Sequence, residues 1–424
     1  MAAALSMRTA VIGAGIIGVT TAYELAAQGH EVTVFDRRGS VAEGCSFANA
    51  GVVAPGYVTP WAAPGMAWKA LRHLFSRDTP VRVGSLAALS HLPWLWRWWR
   101  ACRPAEHAAN RAAMHHLARL SQDRMLELTR NLQLSYQQTP GYLVLLRTAR
   151  DVARAQRGLK LLQQLGVTHE VVDAAGCLRL EPGLNPQTRL QAGIHLRQDG
   201  VGNCRQFAQL IKAQATLHGA AFRFDTTVRR IRASAAPQVE LADGSQHTFD
   251  AVVVCAGAQA NTLLKPLGLK LPLAAVHGYS VTAPLRPIDG MPLPGPRAGL
   301  MDERFKVAIS RLGLRVRVSG SAQLGGRLDE LDDAPLRLLY KVLDDWFPGA
   351  ALVREAQQWK GARPMLPDGP PVLGASGVPG VWLNLGHGSS GWALACGSAR
   401  VLTEQLAGRE APLDIARLGV ARLR

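Results

Sequence analysis

The residues with the clearest chemical meaning are three glycines and one acid near the start of the chain. Gly13, Gly15 and Gly18 follow a short β-branched run in GxGxxG spacing, and Asp36 ends the next β-like run. At this spacing the first glycine permits a tight turn, the second lets a pyrophosphate approach the backbone, and the third lets a helix pack on the strand. The N–H groups at the helix start would bind phosphate oxygens, and Asp36 would bind a ribose hydroxyl. The pattern predicts dinucleotide binding; the alternative is a glycine-rich turn in an ordinary βαβ unit.

Four further segments favour a flavin over a nicotinamide dinucleotide. In the loop Gly44–Gly51, backbone N–H groups and short polar side chains can reach a pyrophosphate or the isoalloxazine edge. The strand-like Val252–Cys255 can approach an adenosine, and Val228 lies in the expected adenine region. The C-terminal turn GHGSSG opens a helix whose positive end would face the flavin ring. With the first turn, these segments supply the candidate cofactor-binding residues Ile16, Ile17, Arg37, Ser46, Asn49, Ala50, Gly51, Val228, Ala256, Gly257, Gly386, His387, Gly388, Ser389, Ser390 and Gly391.

Hydrophobic periodicity and glycine and proline content predict the elements that position these residues. A strand, a helix and a second strand carry the first glycine turn. Residues 61–135 are largely helical by pattern, and Ala334–Trp346 is an amphipathic helix. Two strands flank Leu312–Leu314 in a hairpin. Gly361–Gly374, GARPMLPDGPPVLG, is predicted to be a Pro/Gly-rich loop.

The segments FANAGVVAPGYVTPWAAPG, HGYSVT, ARPMLPDGPPVLG and NLGHGSSGWALACG follow the glycine turn in this order. Together they resemble the D-amino-acid oxidase superfamily of FAD enzymes, and most closely the catalytic subunits of its bacterial D-amino-acid dehydrogenases. The resemblance runs from about residue 9 to 405. It implies non-covalently bound FAD and removal of a hydride from the Cα of an amino acid. Water then hydrolyses the resulting imino acid to a 2-oxo acid and ammonia, while FAD carries the electrons.

The resemblance also implies residues that contact the substrate. Arg363 lies where the superfamily places its carboxylate-binding arginine, a role that suits a planar guanidinium; the alternative is a surface arginine. Tyr279 is a candidate for a second hydrogen bond, or a tyrosine at the core edge. His387 is a candidate acid–base group, a flavin-edge contact or a structural histidine. Lys306 and Arg311 flank a strand and either line the pocket or are solvated.

Composition limits the partners. The 424 residues carry a net charge of +17, which suggests nucleic acid, an acidic membrane surface or an acidic protein as a partner; the alternative is a generally arginine-rich surface. Because the chain lacks a block of five like charges and a nucleic-acid motif, we expect no specific nucleic-acid binding. The six cysteines form no CxxC and no zinc spacing, so we expect no metal and a reducing cytoplasm.

The segment Pro93–Arg100, PWLWRWWR, concentrates tryptophan and arginine. Both residue types suit the membrane interface, and a basic protein is attracted to anionic lipids. We therefore expect a peripheral contact on the inner face of the cytoplasmic membrane, where a quinone or another electron-transfer carrier would accept the electrons. The alternatives are packing within the substrate domain and a contact with a partner subunit.

The fold class expected is α/β. A Rossmann-like FAD-binding domain of residues 7–60, 193–262 and 361–424 interleaves with an α+β substrate domain of residues 61–192 and 263–360, built on an antiparallel sheet. The expected reaction is oxidative deamination of D-amino acids, with D-alanine as substrate and an acceptor other than oxygen. The alternatives are a dehydrogenase for D-proline or D-hydroxyproline, an oxygen-using oxidase, and a nucleic-acid-binding protein on a flavin fold.

Overall fold

The computed structural model describes residues 6–66, 81–83, 91–287 and 294–423. Part of the segment 61–135, predicted to be helical, lies outside these ranges. The helices of the described part are α1 Ile16–Ala27, α2 Leu92–Ala101, α3 Pro104–Asn131, α4 Ala149–Gln164, α5 Ala174–Leu180, α6 Cys204–Leu217, α7 Ala260–Leu264, α8 Asp333–Trp346 and α9 Gly391–Leu406. The strands are β1 Arg8–Ile12, β2 Glu31–Phe35, β3 Val52–Val53, β4 Val81–Val83, β5 Thr139–Leu146, β6 Glu170–Asp173, β7 Ala192–Val201, β8 Ala221–Arg223, β9 Val228–Arg232, β10 Gln238–Leu241, β11 Gln246–Thr248, β12 Ala251–Val254, β13 Ala274–Pro284, β14 Gly299–Asp302, β15 Val307–Leu312, β16 Arg315–Leu324, β17 Gln357–Met365, β18 Val372–Ala375 and β19 Val381–Leu385.

The first sheet holds the predicted βαβ unit. Its strand order is β18-β19-β12-β1-β2-β8, and β1 is parallel to both β2 and β12. The apolar runs of β1 and β12 are buried on both faces, as expected for parallel strands covered by helices. Helix α1 packs against α6 and α9. The glycine turn after β1 therefore lies at the carboxyl edge of the sheet, where ligands bind in folds of this class.

The second sheet is larger and mostly antiparallel. Its main path runs β17-β13-β16-β15-β14-β5-β7-β3, while β4 pairs with β16 and β6 with β7. Helix α8 packs on β13, β15 and β16 through Leu336, Leu339 and Trp346. A mostly parallel sheet, in which only β18 pairs in the antiparallel sense, combined with a mostly antiparallel one confirms the predicted fold class.

The predicted loop Gly361–Gly374 is wrong over most of its length. Residues 357–365 form β17, which pairs with β13 from end to end, and residues 372–375 form β18. A proline is unfavourable within a central strand because it lacks the N–H that a neighbouring strand would bind. Since β17 lies at the edge of the sheet, Pro364 is tolerated there. Arg363 therefore projects from a strand and not from a flexible loop.

One further segment differs from the pattern, and one division stays open. A strand at Val81–Val83 interrupts the segment predicted to be helical. Strands β3 and β7 fall within the predicted FAD-binding segments but pair in the larger sheet. The division into two discontinuous domains stays a prediction.

Candidate cofactor and substrate site

The three glycines of the first turn meet different demands. Gly13 has φ of +108°, and a Cβ there would lie 2.7 Å from the carbonyl oxygen of Cys255. A Cβ at Gly18 would overlap the carbonyl of Gly13. At Gly15 the sole neighbour of an added Cβ within 4 Å, among the residues that the structure describes, is Ser46 Oγ at 3.6 Å. Gly13 and Gly18 are thus required by packing, whereas Gly15 leaves room for a ligand.

The first turn of α1 faces a cavity. Gly15 supplies no side-chain acceptor as the N-cap, and the N–H of Ile16 donates to Ser46 Oγ at 3.1 Å. Nearby, the Asp36 carboxylate accepts from the backbone N–H groups of Ala14, at 2.6 Å, and Arg38, at 2.8 Å. These bonds orient the carboxylate at the end of β2, as a ribose contact requires. A helix N-terminus without a side-chain cap attracts anions such as a pyrophosphate.

One cavity of about 1680 Å³ joins most of the predicted site. The candidate cofactor and substrate residues that line it are Gly15, Ile16, Ile17, Ser46, Asn49, Ala50, Gly51, Gly257, Tyr279, Arg363, Gly386, His387, Gly388, Ser389, Ser390 and Gly391. The candidates outside its lining are Gly13, Gly18, Asp36, Arg37, Val228 and Ala256. Of this second set, Val228 and Ala256 pack against a buried cluster and Arg37 is exposed. The cofactor-binding role of every residue in both sets stays a prediction.

The C-terminal turn carries His387 into the cavity wall. The residue is 3% exposed, and Nε2 shares a hydrogen bond with Ser398 Oγ at 2.9 Å. Burial lowers the pKa of His387 to about 3, so the imidazole is neutral at physiological pH. Residues 388–393 also line the cavity, and the N-terminus of α9 lies among them. A neutral, buried ring favours a structural role for His387 over proton transfer.

Arg363 is a cation that contacts two backbone carbonyls and an aromatic ring. Its Nη1 donates to the carbonyl oxygens of Ser321, at 2.8 Å, and His277, at 3.4 Å. The guanidinium lies 5.6 Å from the ring centroid of Trp61. Among the described residues, no carboxylate lies within 4 Å of it. Burial lowers the pKa of Arg363 to about 10, which still leaves it charged at neutral pH.

Gly278 makes the position of Arg363 possible. A Cβ at Gly278 would overlap the guanidinium, because β13 and β17 are paired neighbours and the arginine side chain crosses the Gly278 backbone. Sequence reasoning missed this glycine, although it stands in HGYSVT beside Tyr279. A glycine within a strand signals close approach of another group.

The hydroxyl of Tyr279 is hydrogen-bonded to other side chains of the protein. The side chain is 1% exposed, and its hydroxyl lies 2.6 Å from both Gln323 Oε1 and Asp332 Oδ2. The ammonium of Lys360 lies 5.3 Å from the ring centroid. Since a phenol has one proton, it can donate to one of the two acceptors at a time. The predicted contact of Tyr279 with substrate stays a prediction.

A second cluster on the cavity wall was missed by sequence reasoning. The Tyr57 hydroxyl donates to Glu303 Oε2 at 2.7 Å and accepts from Lys306 Nζ at 3.2 Å, and Lys306 also pairs with Glu303. Lys306 therefore lines the pocket, one of its two expected alternatives. Arg311 is outside the lining and donates to the carbonyls of Gly313 and Pro296. Burial and the Glu303 carboxylate raise the pKa of Tyr57 well above its ordinary value.

Comparison with known proteins decides the family. Residues 8–405 match the model of a family described as FAD dependent oxidoreductase. The chain belongs to this family. It is 41% identical over 420 residues to the D-amino acid dehydrogenase of Cereibacter sphaeroides, covering 98% of this chain and 95% of that protein. It is 39% identical over 420 residues to the D-amino acid dehydrogenase of Rhizobium rhizogenes, covering 98% and 100%. The predicted family is confirmed.

Solved structures agree on the fold at low sequence identity. The glycine oxidase of Geobacillus kaustophilus superposes with a TM-score of 0.75 at 20% identity, covering 98% of this chain and 99% of that one. The L-proline dehydrogenase of P. horikoshii gives a TM-score of 0.73 at 18% identity, covering 98% and 96%. These likenesses support the two-sheet architecture.

The cofactor of the family is FAD, and the residues present fit it. The cavity is large enough for a dinucleotide, Gly15 leaves space at the start of α1, and two helix N-termini face the interior. The chain is thus an FAD-dependent oxidoreductase, which confirms the predicted cofactor.

Proposed function

We propose that this chain oxidises D-amino acids, with D-alanine as the physiological substrate, and that its products are a 2-oxo acid and ammonia. The observation that carries the proposal is the Arg363 guanidinium, which lines the same cavity as the cofactor-binding turns and lacks a carboxylate partner among the described residues. The names of the relatives, at about 40% identity over nearly the whole chain, support the D-amino acid class.

Arg363 would bind and orient the substrate. Nη1 is already engaged by backbone carbonyls, so the remaining N–H groups would bind the α-carboxylate in a planar fork. Trp61 limits where the guanidinium can move, because the ring lies against it. With the carboxylate held, the Cα–H would face the cofactor region at the starts of α1 and α9. FAD supplies the hydride acceptor when bound.

Proton transfer by His387 is not required for this reaction, because a neutral amine can lose hydride without an obligatory general base. The low pKa of His387 makes it a weak base, and its ring stays neutral over the whole physiological pH range. We expect His387→Asn to leave the shape of the pH profile of flavin reduction between about pH 6 and pH 9 unchanged. Ser398→Ala, which removes the hydrogen-bond partner of the ring, reports the structural effect alone. Loss of one limb of the profile in His387→Asn would assign His387 to proton transfer.

Anaerobic reduction of the purified protein by single substrates tests the substrate class. Flavin absorbance is followed with D-alanine, L-alanine, D-proline and D-hydroxyproline in separate cuvettes. Rapid bleaching by D-alanine but not L-alanine supports the proposal. Bleaching by the cyclic substrates alone would assign the chain to D-proline or D-hydroxyproline. A yellow protein that none of them bleaches would overturn the substrate class.

The electrons would pass to a membrane quinone or another carrier, and not to oxygen. Readmission of air after bleaching separates the two acceptors. We expect slow reoxidation with little hydrogen peroxide in air, and fast reoxidation with a soluble quinone. Stoichiometric hydrogen peroxide would identify an oxygen-using oxidase.

Helix α2 would bring a cytoplasmic protein to the membrane surface. Its inner side is anchored, since Trp94 Nε1 donates to the Met365 carbonyl at 3.1 Å and Arg97 donates to the Leu423 carbonyl at 2.7 Å. On its outer side Trp96 is 54% and Trp99 is 57% exposed. Within the described residues, the chain has no helix with the length and apolar character to cross a bilayer. A peripheral contact through exposed tryptophans is therefore the form that membrane binding would take.

Sedimentation with vesicles that contain anionic lipid tests this contact. We expect Trp96→Ser combined with Trp99→Ser to lose at least about 2 kcal/mol of binding, since two indole rings no longer enter the interface. Leu217→Ser, at a leucine that is 78% exposed on α6, is the matched control and should bind as the parent does. Equal binding of the parent, the tryptophan variant and the control would show that α2 does not bind the membrane. Its role would then be contact with a partner subunit or internal packing.

A further inference from the structure

The cavity has a strongly cationic outer part. Among the described residues, nine arginine and lysine side chains line it, against two carboxylates, Asp151 and Glu303. Seven of these cations are exposed and come from three elements. We call them the basic entrance: Arg150, Arg154 and Arg157 on α4, Arg304 and Lys306 on the turn after β14, and Arg337 and Lys341 on α8.

Nearby carboxylates neutralise only part of this charge. Asp151 pairs with Arg154 at 3.9 Å, Asp333 with Arg337 at 3.7 Å and Asp345 with Lys341 at 2.9 Å, while Glu303 pairs with Lys306. Four carboxylates thus face seven cations, which leaves an excess of three positive charges. In the described ranges, Arg150, Arg157 and Arg304 have no carboxylate within 4 Å.

A further cation, Arg111, belongs to neither the basic entrance nor the Arg363 site. Arg111 lines the same cavity, and its buried Nε has no hydrogen-bond partner among the described residues. Burial lowers the pKa of Arg111, and the Tyr57 hydroxyl is the ionisable group that opposes this shift. An arginine with an unsatisfied donor in a cavity is suited to a second anionic group of a ligand.

We propose that the basic entrance and Arg111 select substrates by side-chain charge, so that the chain prefers amino acids with an acidic side chain to those with a basic one. This inference rests on the proposed amino acid oxidation. An amino acid with a neutral side chain carries no net charge, so the entrance does not attract it over long range. One with a second carboxylate carries a net negative charge, and a cleft lined by one sign of charge raises the local concentration of the opposite ion. Because the entrance belongs to the cavity that holds Arg363, its occupant is a small molecule on its way to that residue.

The experiment measures bimolecular rate constants for anaerobic flavin reduction, so that the electron acceptor takes no part. D-Glutamate, D-alanine and D-lysine are compared between about 0.01 M and 0.5 M salt, where screening becomes strong. We expect the constant for D-glutamate to fall about tenfold, that for D-alanine to change less than about twofold, and that for D-lysine to rise.

Charge reversal on α4 locates the effect. Arg150→Glu combined with Arg157→Glu should remove the salt dependence with D-glutamate and leave reduction by D-alanine within about twofold of the parent. Lys160→Glu combined with Arg189→Glu makes the same change in net charge at exposed residues outside the cavity lining, and should behave as the parent does. Arg111→Met should lower the ratio of the rate constant for D-glutamate to that for D-alanine without altering the salt dependence.

Several outcomes would overturn the proposal. One is an equal salt dependence for the three substrates, and another is an equal effect of both double variants. A third is an α4 double variant whose flavin is reduced at the parent rate by every substrate but is reoxidised slowly by the electron acceptor. The basic entrance would then bind an acidic redox partner and not the substrate. If no amino acid reduces the flavin at all, the proposed function fails and not this inference alone.

Discussion

Arg363→Lys should raise the dissociation constant of the substrate at least about tenfold, or about 1.4 kcal/mol, while the flavin spectrum stays unchanged. Lysine keeps the positive charge but loses the planar fork, and its ammonium cannot bond Ser321 and a carboxylate in the geometry of the guanidinium. The constant is measured from the substrate dependence of the anaerobic reduction rate, which separates binding from the chemical step.

Two further variants make this result specific. Gly278→Ala places a Cβ where the guanidinium now lies, so it should weaken substrate binding with Arg363 still present. Arg311→Lys is the matched control, since Arg311 belongs to the same sheet, bonds backbone carbonyls and does not line the cavity. An unchanged constant in Arg363→Lys would remove Arg363 from the substrate site.

Gly15→Val should yield a folded protein that does not retain FAD, with an affinity lower by more than about a hundredfold, or 2.7 kcal/mol. The added side chain starts 3.6 Å from Ser46 Oγ, so the fold has room for it. Valine there would, however, occupy the approach of the pyrophosphate to the first turn of α1. The measurement is the ratio of flavin to protein absorbance after desalting, with circular dichroism as the test of folding.

Valine substitutions at two other glycines test whether the loss of FAD is specific to Gly15. Gly158→Val is the matched control because Gly158 lines the cavity on α4, and no described residue lies within 4 Å of an added Cβ there. It should retain FAD. Gly18→Val should fail to fold, because its Cβ overlaps the Gly13 carbonyl. A yellow Gly15→Val protein would mean that the glycine turn does not bind the pyrophosphate.

The parts of the fold that could be predicted from the sequence are those that depend on near neighbours. The first βαβ unit spans residues 8–35, and its glycine spacing reflects contacts within that unit and with the end of β12. Helix α8 was predicted within one residue of its start, because its apolar stripe repeats at the helical period. The hairpin β15–β16 followed from two alternating strands around a glycine turn.

The predicted loop around Arg363 was wrong because strand formation there depends on a distant partner. Residues 357–365 become β17 by pairing with β13, some eighty residues earlier in the chain. Their own sequence contains glycine and proline, which argue for a loop, and only an edge position in the sheet removes that objection. The hydrogen bonds of the Tyr279 hydroxyl could not be predicted for the same reason, because they also depend on distant residues. Gln323 comes from β16 and Asp332 from the start of α8.

The sequence by itself determined the first βαβ unit and its glycine turn, because these depend on residue types at short spacing that a βαβ unit turns directly into geometry. It also determined the family and its cofactor, through the resemblance of segments spread from about residue 9 to 405. Only the tertiary structure decided that Arg363 lies over Gly278, with no carboxylate partner in the part of the chain that the structure describes. It also decided that α4, α8 and the turn after β14 bring seven cations to one entrance. Helical periodicity places Arg150, Arg154 and Arg157 on one side of α4. What that side faces depends on how the larger sheet and its helices pack, and that arrangement is set by contacts between residues far apart in the chain.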